Sequence, residues 1–329
     1  MISVEKGYVD APIPEGIDLR SEILRLKREK NAVIMAHYYQ RPEIQDIADE
    51  IGDSLALAQM AARSDASIIV LCGVHFMGET AKILCPDKKV IVPDMNAGCS
   101  LADSCPAPDF AKYVSEHPGY TVISYVNTSA AVKAYTDIVV TSSNAKQIVD
   151  SIPADGKLIF GPDRILGNYI NSVTGRNMLL WDGACHVHEQ FSIEKILELK
   201  KQHGDAQVLV HPECRKPVQM VADKVGSTQA LLNYAVASDC PTFIVATESG
   251  ILHEMQKRCP QKKFIPAPPE DGKCSCNECA FMKMVTLEKL YNSLRYELPE
   301  INVDEAVAEK AVKPIRRMLD ISRNLGLIK

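Results

Sequence analysis

Three stretches decide the fold of this chain: Val33-Ile34-Met35-Ala36-His37, Val122-Ile123-Ser124-Tyr125-Val126-Asn127 and Val208-Leu209-Val210-His211-Pro212-Glu213. Each is a short apolar run that gives way to polar side chains, the pattern of a buried strand reaching its carboxyl end. A second triplet follows, Gly52-Asp53-Ser54, Thr141-Ser142-Ser143 and Gly226-Ser227-Thr228, each opening a helical stretch. His37 to Ser54, Tyr125 to Ser142 and His211 to Thr228 are each 17 residues apart. Every unit continues strand, helix, strand and ends in a loop with cysteine: Gly98-Cys99, Ala184-Cys185, and the group Cys274, Cys276 and Cys279. From the strand-end residue to that cysteine is 62, 60 and 63 to 68 residues. Repetition at fixed spacing is the mark of a duplicated supersecondary unit. The expected fold is therefore α/β, with three pseudo-symmetric αβα domains of parallel sheet around a central active site. Their expected bounds are 1–112 with an N-terminal lead-in, 113–198, and 199–329 with a C-terminal helix. The competing reading is one large α/β sheet whose turns recur by chance.

The rest of the chain keeps this alternation. Strands are expected at 31–36, 68–72, 90–92, 120–125, 138–140, 157–160, 178–181, 207–210, 242–245 and 263–265. Helical stretches include 55–62, 145–152, 193–201 and 229–237. The segment 304–324 is a charged amphipathic helical pattern, with a kink expected before Pro314.

Composition narrows the function. Of 329 residues, 46% are hydrophobic and 24% charged, and the formal net charge is −5. That is an ordinary globular composition, and a weakly acidic surface argues against nucleic acid or an anionic membrane as partner. The longest apolar run, Ile68 to Val74, is far short of the roughly 18 residues of a membrane span. The N-terminus carries Glu5, Lys6, Asp10 and Glu15 without an apolar segment, so no signal peptide is expected and the protein is read as cytoplasmic. In a reducing compartment, eleven cysteines point to metal, cluster or redox chemistry rather than a disulfide frame.

Ligands of parallel α/β units gather at the carboxyl ends of strands. His37, Tyr125, Asn127, His211 and Glu213 all stand there. For Ser54, Ser142 or Thr228 taken singly, the plain reading is a helix N-cap. If the three units share an axis, their helix N-termini converge on a compact ligand with several negative charges, such as phosphate or carboxylates. His37, Tyr39, His188, His211 and Glu213, all near loop ends, suit acid/base work. Of the adjacent tyrosines, Tyr39 shares strand parity with His37 and is expected to face the site, whereas Tyr38 is not.

One thiolate from each unit would hold an iron–sulfur cluster by three corners, leaving the fourth iron open as a Lewis acid. Cys99 and Cys185 occupy matching loops, with Cys105 six residues after Cys99. In the third unit Cys279 is preferred, because Cys274 and Cys276 are close neighbours poorly placed to share one corner. Cys72 reads as a core thiol, and Cys85, Cys214, Cys240 and Cys259 have no evident role. Zinc at Cys274, Cys276 and Cys279 is the competing reading, although C-x-C-x2-C lacks the paired spacing of structural zinc sites.

At these residues the chain resembles the type A quinolinate synthase family of NAD biosynthesis. The likeness runs from about Leu24 to Leu319 and rests on Ala36-His37-Tyr38-Tyr39-Gln40, Gly52-Asp53-Ser54, Gly78-Glu79-Thr80-Ala81-Lys82, Gly98-Cys99-Ser100-Leu101-Ala102 and Tyr125-Val126-Asn127-Thr128-Ser129-Ala130. It continues in Thr141-Ser142-Ser143, Gly161-Pro162-Asp163, Gly183-Ala184-Cys185, His188, His211-Pro212-Glu213, Val225-Gly226-Ser227-Thr228 and Cys279 before Met282. Many members have C-x2-C-x2-C where this chain has Cys274-x-Cys276-x2-Cys279, so Cys279 alone keeps the matching position.

The resemblance implies three pseudo-symmetric domains and a [4Fe-4S] cluster held by Cys99, Cys185 and Cys279. It implies condensation of iminoaspartate with dihydroxyacetone phosphate to quinolinate, with loss of phosphate and water. It also implies substrate contacts at His37, Ser54, Tyr125, Asn127, Ser142, His211, Glu213 and Thr228, and His188 is added from its own motif. Ser54, Ser142 and Thr228 would hold phosphate and carboxylates, while Tyr125 and Asn127 orient the dicarboxylate. His37, Tyr39, His211 and Glu213 would move protons. An aspartate oxidase or dehydrogenase is the expected supplier of iminoaspartate, through a transient contact. The rival functions are a non-catalytic anion-binding iron–sulfur sensor, an electron carrier, which needs a fourth cluster ligand, and a zinc-stabilised sugar-phosphate enzyme.

Overall fold

In the computed structural model, which describes residues 3–271 and 277–328, the three strand-end motifs each become the second-placed strand of a separate four-stranded parallel sheet. The first sheet holds β1 (Ala32–His37), β2 (Glu50–Gly52), β3 (Ile68–Cys72) and β4 (Lys89–Ile91), in the order β2-β1-β3-β4. The second holds β5 (Thr121–Tyr125), β6 (Ile138–Val140), β7 (Leu158–Gly161) and β8 (Leu179–Leu180), in the order β6-β5-β7-β8. The third holds β9 (Gln207–Val210), β10 (Lys224–Val225), β11 (Thr242–Ala246) and β12 (Lys263–Pro266), in the order β10-β9-β11-β12. One strand order in all three sheets makes a chance recurrence of turns in one large sheet untenable.

In such an order the chain changes direction across the sheet between its first and third strands. That is where an open parallel sheet leaves a crevice at its carboxyl ends. The residues following β1 and β3, β5 and β7, and β9 and β11 are therefore the ones the topology gathers.

The repeat extends to a clamp that spacing alone did not suggest. Asp49, Asp137 and Asp223 each accept a hydrogen bond on Oδ2 from the backbone N–H of the residue 15 positions earlier, Ile34, Val122 and Val208, at 2.8–2.9 Å. Each aspartate returns its own N–H to that residue's carbonyl. A charge-assisted bond of this kind pins each loop against its first strand. The first and third units also share a glutamine clasp. Gln45 Nε2 donates to the carbonyls of Tyr38 and Gln40, and Gln219 Nε2 to those of Pro212 and Cys214. Cys85 and Cys259, both 48 residues after the strand-end histidine, donate their thiols to the carbonyls of Ala61 and Ala235. They are equivalent structural positions.

The chain divides into two compact units. One comprises Met1–Cys99, Ser129–Ala134 and Ala280–Lys313; the other comprises Ser100–Thr128, Tyr135–Cys279 and Pro314–Lys329. In the first unit, Ile34, Ala36, Val70 and Ile91 of the sheet pack with Ile23 and Leu26 of the helix Leu19–Glu29 and with Leu290, Tyr291 and Leu294 of Leu287–Tyr296. In the second, Val208, Val210, Ile244 and Ala246 pack with Ile196 and Phe191. The long C-terminal helix is Glu305–Asn324, with Pro314 inside it.

Most expected strands fall within a residue or two of their places. The edge strands β2 and β10 were not expected, because Glu50-Ile51-Gly52 and Lys224-Val225 carry one apolar residue each, whereas the equally short β4, β6 and β8 are mostly apolar. Helix starts shift as well. The caps of Ser54–Arg63 and Thr228–Ala237 are Asp53, accepting from the Ala56 N–H, and Ser227, accepting from the Ala230 N–H. Ser54 and Thr228 are thus the first helical residues and not the caps. Ser142 lies in a turn whose Asn144 Oδ1 accepts from the Thr141 N–H at 2.7 Å, and the short helix begins only at Ala145. The strand parity expected to separate Tyr38 from Tyr39 does not apply either, because β1 ends at His37 and both tyrosines lie in the following turn.

Gly78 shows how tightly the first unit closes. A Cβ added there would lie 2.5 Å from Val92 Cγ2 and 2.9 Å from Ile301 Cγ1, both on buried side chains. Overpacking of this kind costs about 1–3 kcal/mol. Gly78→Ala should lower the midpoint of chemical denaturation by a corresponding amount, read by circular dichroism.

Candidate active site

Within the first unit, His37 closes β1 and is 5% exposed. Its Nδ1 accepts the Tyr39 backbone N–H at 3.1 Å, and the Tyr39 ring sits edge-on to the imidazole at 4.4 Å between centroids. With Nδ1 engaged as acceptor, Nε2 carries the proton of the neutral ring. Tyr38 is buried and Tyr39 half-buried. Ser54 begins its ten-residue helix, so its hydroxyl stands beside N–H groups that lack intrahelical partners. Cys99 is half-buried. Lys133, which sequence reasoning overlooked, is fully buried, with its ammonium 5.5 Å from the centre of the Phe76 ring. Burial lowers it to about 8, against the opposing charges of Glu79 and Cys99.

The second unit holds a buried polar cluster centred on Glu213, which is 2% exposed. Tyr125, the last residue of β5, donates its hydroxyl to Glu213 Oε1 at 2.5 Å. His188 Nδ1 lies 3.1 Å from Glu213 Oε2, and His211 Nδ1 lies 3.7 Å from Oε1. The two imidazoles stack at 4.6 Å between centroids. His211 repeats the His37 arrangement: its Nδ1 accepts the Glu213 N–H at 3.4 Å, and its Nε2 lies 3.2 Å from Ser142 Oγ. Ser143 Oγ donates to the capping hydroxyl of Ser227 at 2.9 Å, bringing the Thr141–Asn144 turn to the helix that Thr228 opens. Asn127 is half-buried, two residues beyond β5. Tyr125, Ser142, His188, His211 and Glu213 are thus joined in one network. Asn127 and Thr228 lie on the adjoining loop and helix start.

Two buried carboxyls in this unit are driven apart. Burial opposes ionisation of Glu213, but the charges of His188 and His211, with hydrogen bonds from His188 and Tyr125, bring its carboxyl down to about 2. Asp163, fully buried after β7, goes the other way. Burial first, and the Glu213 charge next, push it well above the ordinary range, although the N–H groups of Leu166, Ile165 and Cys185 oppose the rise. Carboxyls whose environments separate their proton affinities are a recurring feature of acid/base sites. Asp163 belongs to the quoted Gly161-Pro162-Asp163 motif but was given no role. Its position directly beyond the third strand of a sheet was the signal available.

The matching position beyond β11 holds Thr247 and Glu248, also overlooked. Thr247 Oγ1 lies 2.9 Å from His188 Nε2. Glu248, fully buried, accepts the N–H of Gly250 at 2.7 Å and of Cys279 at 3.1 Å. A buried carboxylate thereby fixes the backbone that carries Cys279.

Cysteine environments divide the thiols. Burial pushes Cys72, Cys85 and Cys214 up, and Cys105 to about 12, which keeps them protonated and unsuited to metal. Cys240 donates to the carbonyls of Asp205 and Thr242, at the amino end of β11. Cys99, Cys185 and Cys279 are half-buried, in loops that follow strands. Soft thiolate donors in such places fit a metal or iron–sulfur group. Cys274 and Cys276, named in the zinc reading, lie outside the described residues. Cys185 Sγ, His188 Nδ1 and a Glu213 oxygen lie within 4.8 Å of one another, a group able to hold a metal ion.

Parallel sheets with imidazoles, carboxyls and half-buried thiols at their carboxyl ends are the arrangement of an α/β enzyme. Residues 21–320 match the family described as NadA: Quinolinate synthetase A protein, and the chain belongs to that family. It is similar to proteins named quinolinate synthase from Thermosynechococcus vestitus (58% identity, over 94% of this chain and 97% of the relative) and Microcystis aeruginosa (57%, over 93% and 95%). A third, from Chloroherpeton thalassium, is 54% identical over 93% of this chain and 95% of its own length. Among the described residues, no helix is long and apolar enough to cross a membrane.

The two carboxyls contribute oppositely to stability. Glu213, lowered when folded, adds stability that is present above its ordinary value of 4.5 and lost as pH falls through about 2. Asp163, raised when folded, carries a penalty on its ionised form that is full above its folded pKa and fades as pH falls toward 3.8. Asp163→Asn should therefore be more stable than the wild type at mildly alkaline pH, with the gap closing as the medium is acidified. Denaturation midpoints across that range measure it, and a parallel offset at all pH values would contradict the assignment.

Proposed function

We propose that this protein is a quinolinate synthase, condensing iminoaspartate with dihydroxyacetone phosphate to give quinolinate, phosphate and water. The observation that carries the reading is the buried network of Tyr125, His188, His211 and Glu213, in a chain whose full-length relatives bear that name. We further propose that Cys99, Cys185 and Cys279 hold a [4Fe-4S] cluster, supported by their half-buried thiols and their place in the repeats. When bound, a cluster with three protein ligands supplies a Lewis acid that helps a hydroxyl leave. Cytoplasmic location and the bounds 1–112, 113–198 and 199–329 for three domains belong to the same reading.

The chain's own residues divide the remaining work. Substrate anions are drawn to Ser54 and Thr228, where hydroxyls and the positive dipole ends of ten-residue helices coincide. Ser142 offers a hydroxyl beside His211 Nε2. Tyr125 and Asn127 orient the dicarboxylate. His211 and His37, each with Nδ1 bound to backbone N–H, present Nε2–H as a proton donor to a carbonyl or leaving oxygen. Glu213, ionised between Tyr125 and the histidines, keeps Tyr125 oriented and stabilises positive charge that forms on the imidazoles as they move protons. Tyr39 steadies the His37 ring. An aspartate oxidase or dehydrogenase would supply the unstable imine in a transient encounter.

The test is anaerobic isolation with iron and sulfide counts, followed by quinolinate formation from freshly generated iminoaspartate and dihydroxyacetone phosphate. About four irons and four sulfides per chain are expected, with loss of both cluster and product in Cys99→Ala, Cys185→Ala and Cys279→Ala. His211→Ala should keep its iron and lose roughly 10²–10⁴ in rate, the usual weight of an acid/base group. Full turnover in an iron-free protein would overturn the cluster assignment, and absence of product from an iron-replete one would overturn the reaction.

A further inference from the structure

We propose that the cluster-free protein carries a second metal site, in which Cys185 Sγ, His188 Nδ1 and Glu213 Oε2 bind one divalent cation of the zinc class. The three donor atoms lie within 4.8 Å of one another, with His188 Nδ1 3.2 Å from the sulfur and 3.1 Å from Oε2. Around a tetrahedral zinc with ordinary bond lengths, neighbouring donors stand about 3.3–3.6 Å apart. The two distances from His188 Nδ1 thus lie within a few tenths of an ångström of those values, and Cys185 Sγ and the Glu213 oxygen, no more than 4.8 Å apart, complete the set. Thiolate, imidazole and carboxylate together suit zinc or cobalt(II), rather than the hard cations that take oxygen alone.

A second, independent feature is the state of the atoms that would not bind. His188 must offer Nδ1 without a proton, which places the proton on Nε2; that atom lies 2.9 Å from Thr247 Oγ1, positioned to accept it. Glu213 must turn one oxygen to the ion, and its other oxygen accepts the Tyr125 hydroxyl at 2.5 Å. Metal-binding histidines and carboxylates are typically oriented through their remaining atoms in this way. Three protein donors leave a fourth position for water or an anionic ligand.

The site uses Cys185, which the proposed function assigns to the cluster, so it belongs to the protein before cluster assembly or after cluster loss. Its own geometry does not depend on that assignment. A chain whose cluster is missing would then capture zinc at the catalytic carboxylate and be held inactive.

The probe is cobalt(II), added anaerobically to the reduced, chelator-stripped full chain, with zinc as competitor. One equivalent should produce a thiolate-to-cobalt charge-transfer band and the intense visible bands of four-coordinate cobalt, both abolished by zinc. His188→Ala and Glu213→Gln should each weaken binding by more than the ~10–100-fold typical of losing an outer-shell partner, and Thr247→Val should weaken it within that range. Circular dichroism of Thr247→Val separates loss of a positioning bond from loss of fold. Cys99→Ala and Cys279→Ala should bind cobalt as the wild type does. Binding that ignores His188→Ala and Glu213→Gln, or that disappears in Cys99→Ala or Cys279→Ala, would overturn the site. Because no iron or substrate is present, that outcome is separate from failure of the proposed reaction.

Discussion

An ionised carboxylate has been taken out of water at Glu213, and the second unit is organised around what that requires. A charge buried to this degree costs several kcal/mol unless it is paired and hydrogen-bonded. Here the compensation comes from Tyr125 on one sheet and from His188 and His211, supported in turn by Thr247 and Ser142. Removing any one partner would leave charge or donor capacity uncompensated. Such a network fixes side chains in single orientations, as the proposed proton transfers require.

Parallel sheets make this gathering inexpensive. The shared strand order sends the chain opposite ways from the first and third strands, so the residues just past them meet. Tyr125, His211, Asp163, Thr247 and Glu248 all stand at such points. The clamps at Asp49, Asp137 and Asp223 hold the loops after the first strands in one geometry. A repeated scaffold thus presents a different side chain at each equivalent position, histidine in two units and tyrosine in one.

Much of this was legible in the sequence because burial on both faces writes strands as uninterrupted apolar runs. The 17-residue spacing located His37, Tyr125 and His211, and through them the network's core. The edge strands β2 and β10 were hidden by their composition, with one apolar residue in each. For Ser54 and Thr228 the cap reading falls one place late, since the true caps, Asp53 and Ser227, are themselves good capping residues and immediately precede them. Asp163 is quoted without a role, and Thr247 and Glu248 go unmarked, because a lone acid or hydroxyl after a strand resembles a turn residue; only the repeated strand order marks the third strand's end as special. Tyr38 and Tyr39 were separated by a strand rule that stops applying at His37, where the strand itself stops.

The relatives' shared name sets the reaction class, and the buried carboxylate gives that class a physical centre in this chain. Its charge state is the claim on which the rest turns. Infrared difference spectroscopy of the wild type against Glu213→Gln reads it directly. The carboxylate stretch of an ionised Glu213 should persist from neutral pH to below the ordinary glutamate value of 4.5. A protonated carbonyl band at neutral pH would show that Glu213 is held as an acid, and the account of the network would be wrong.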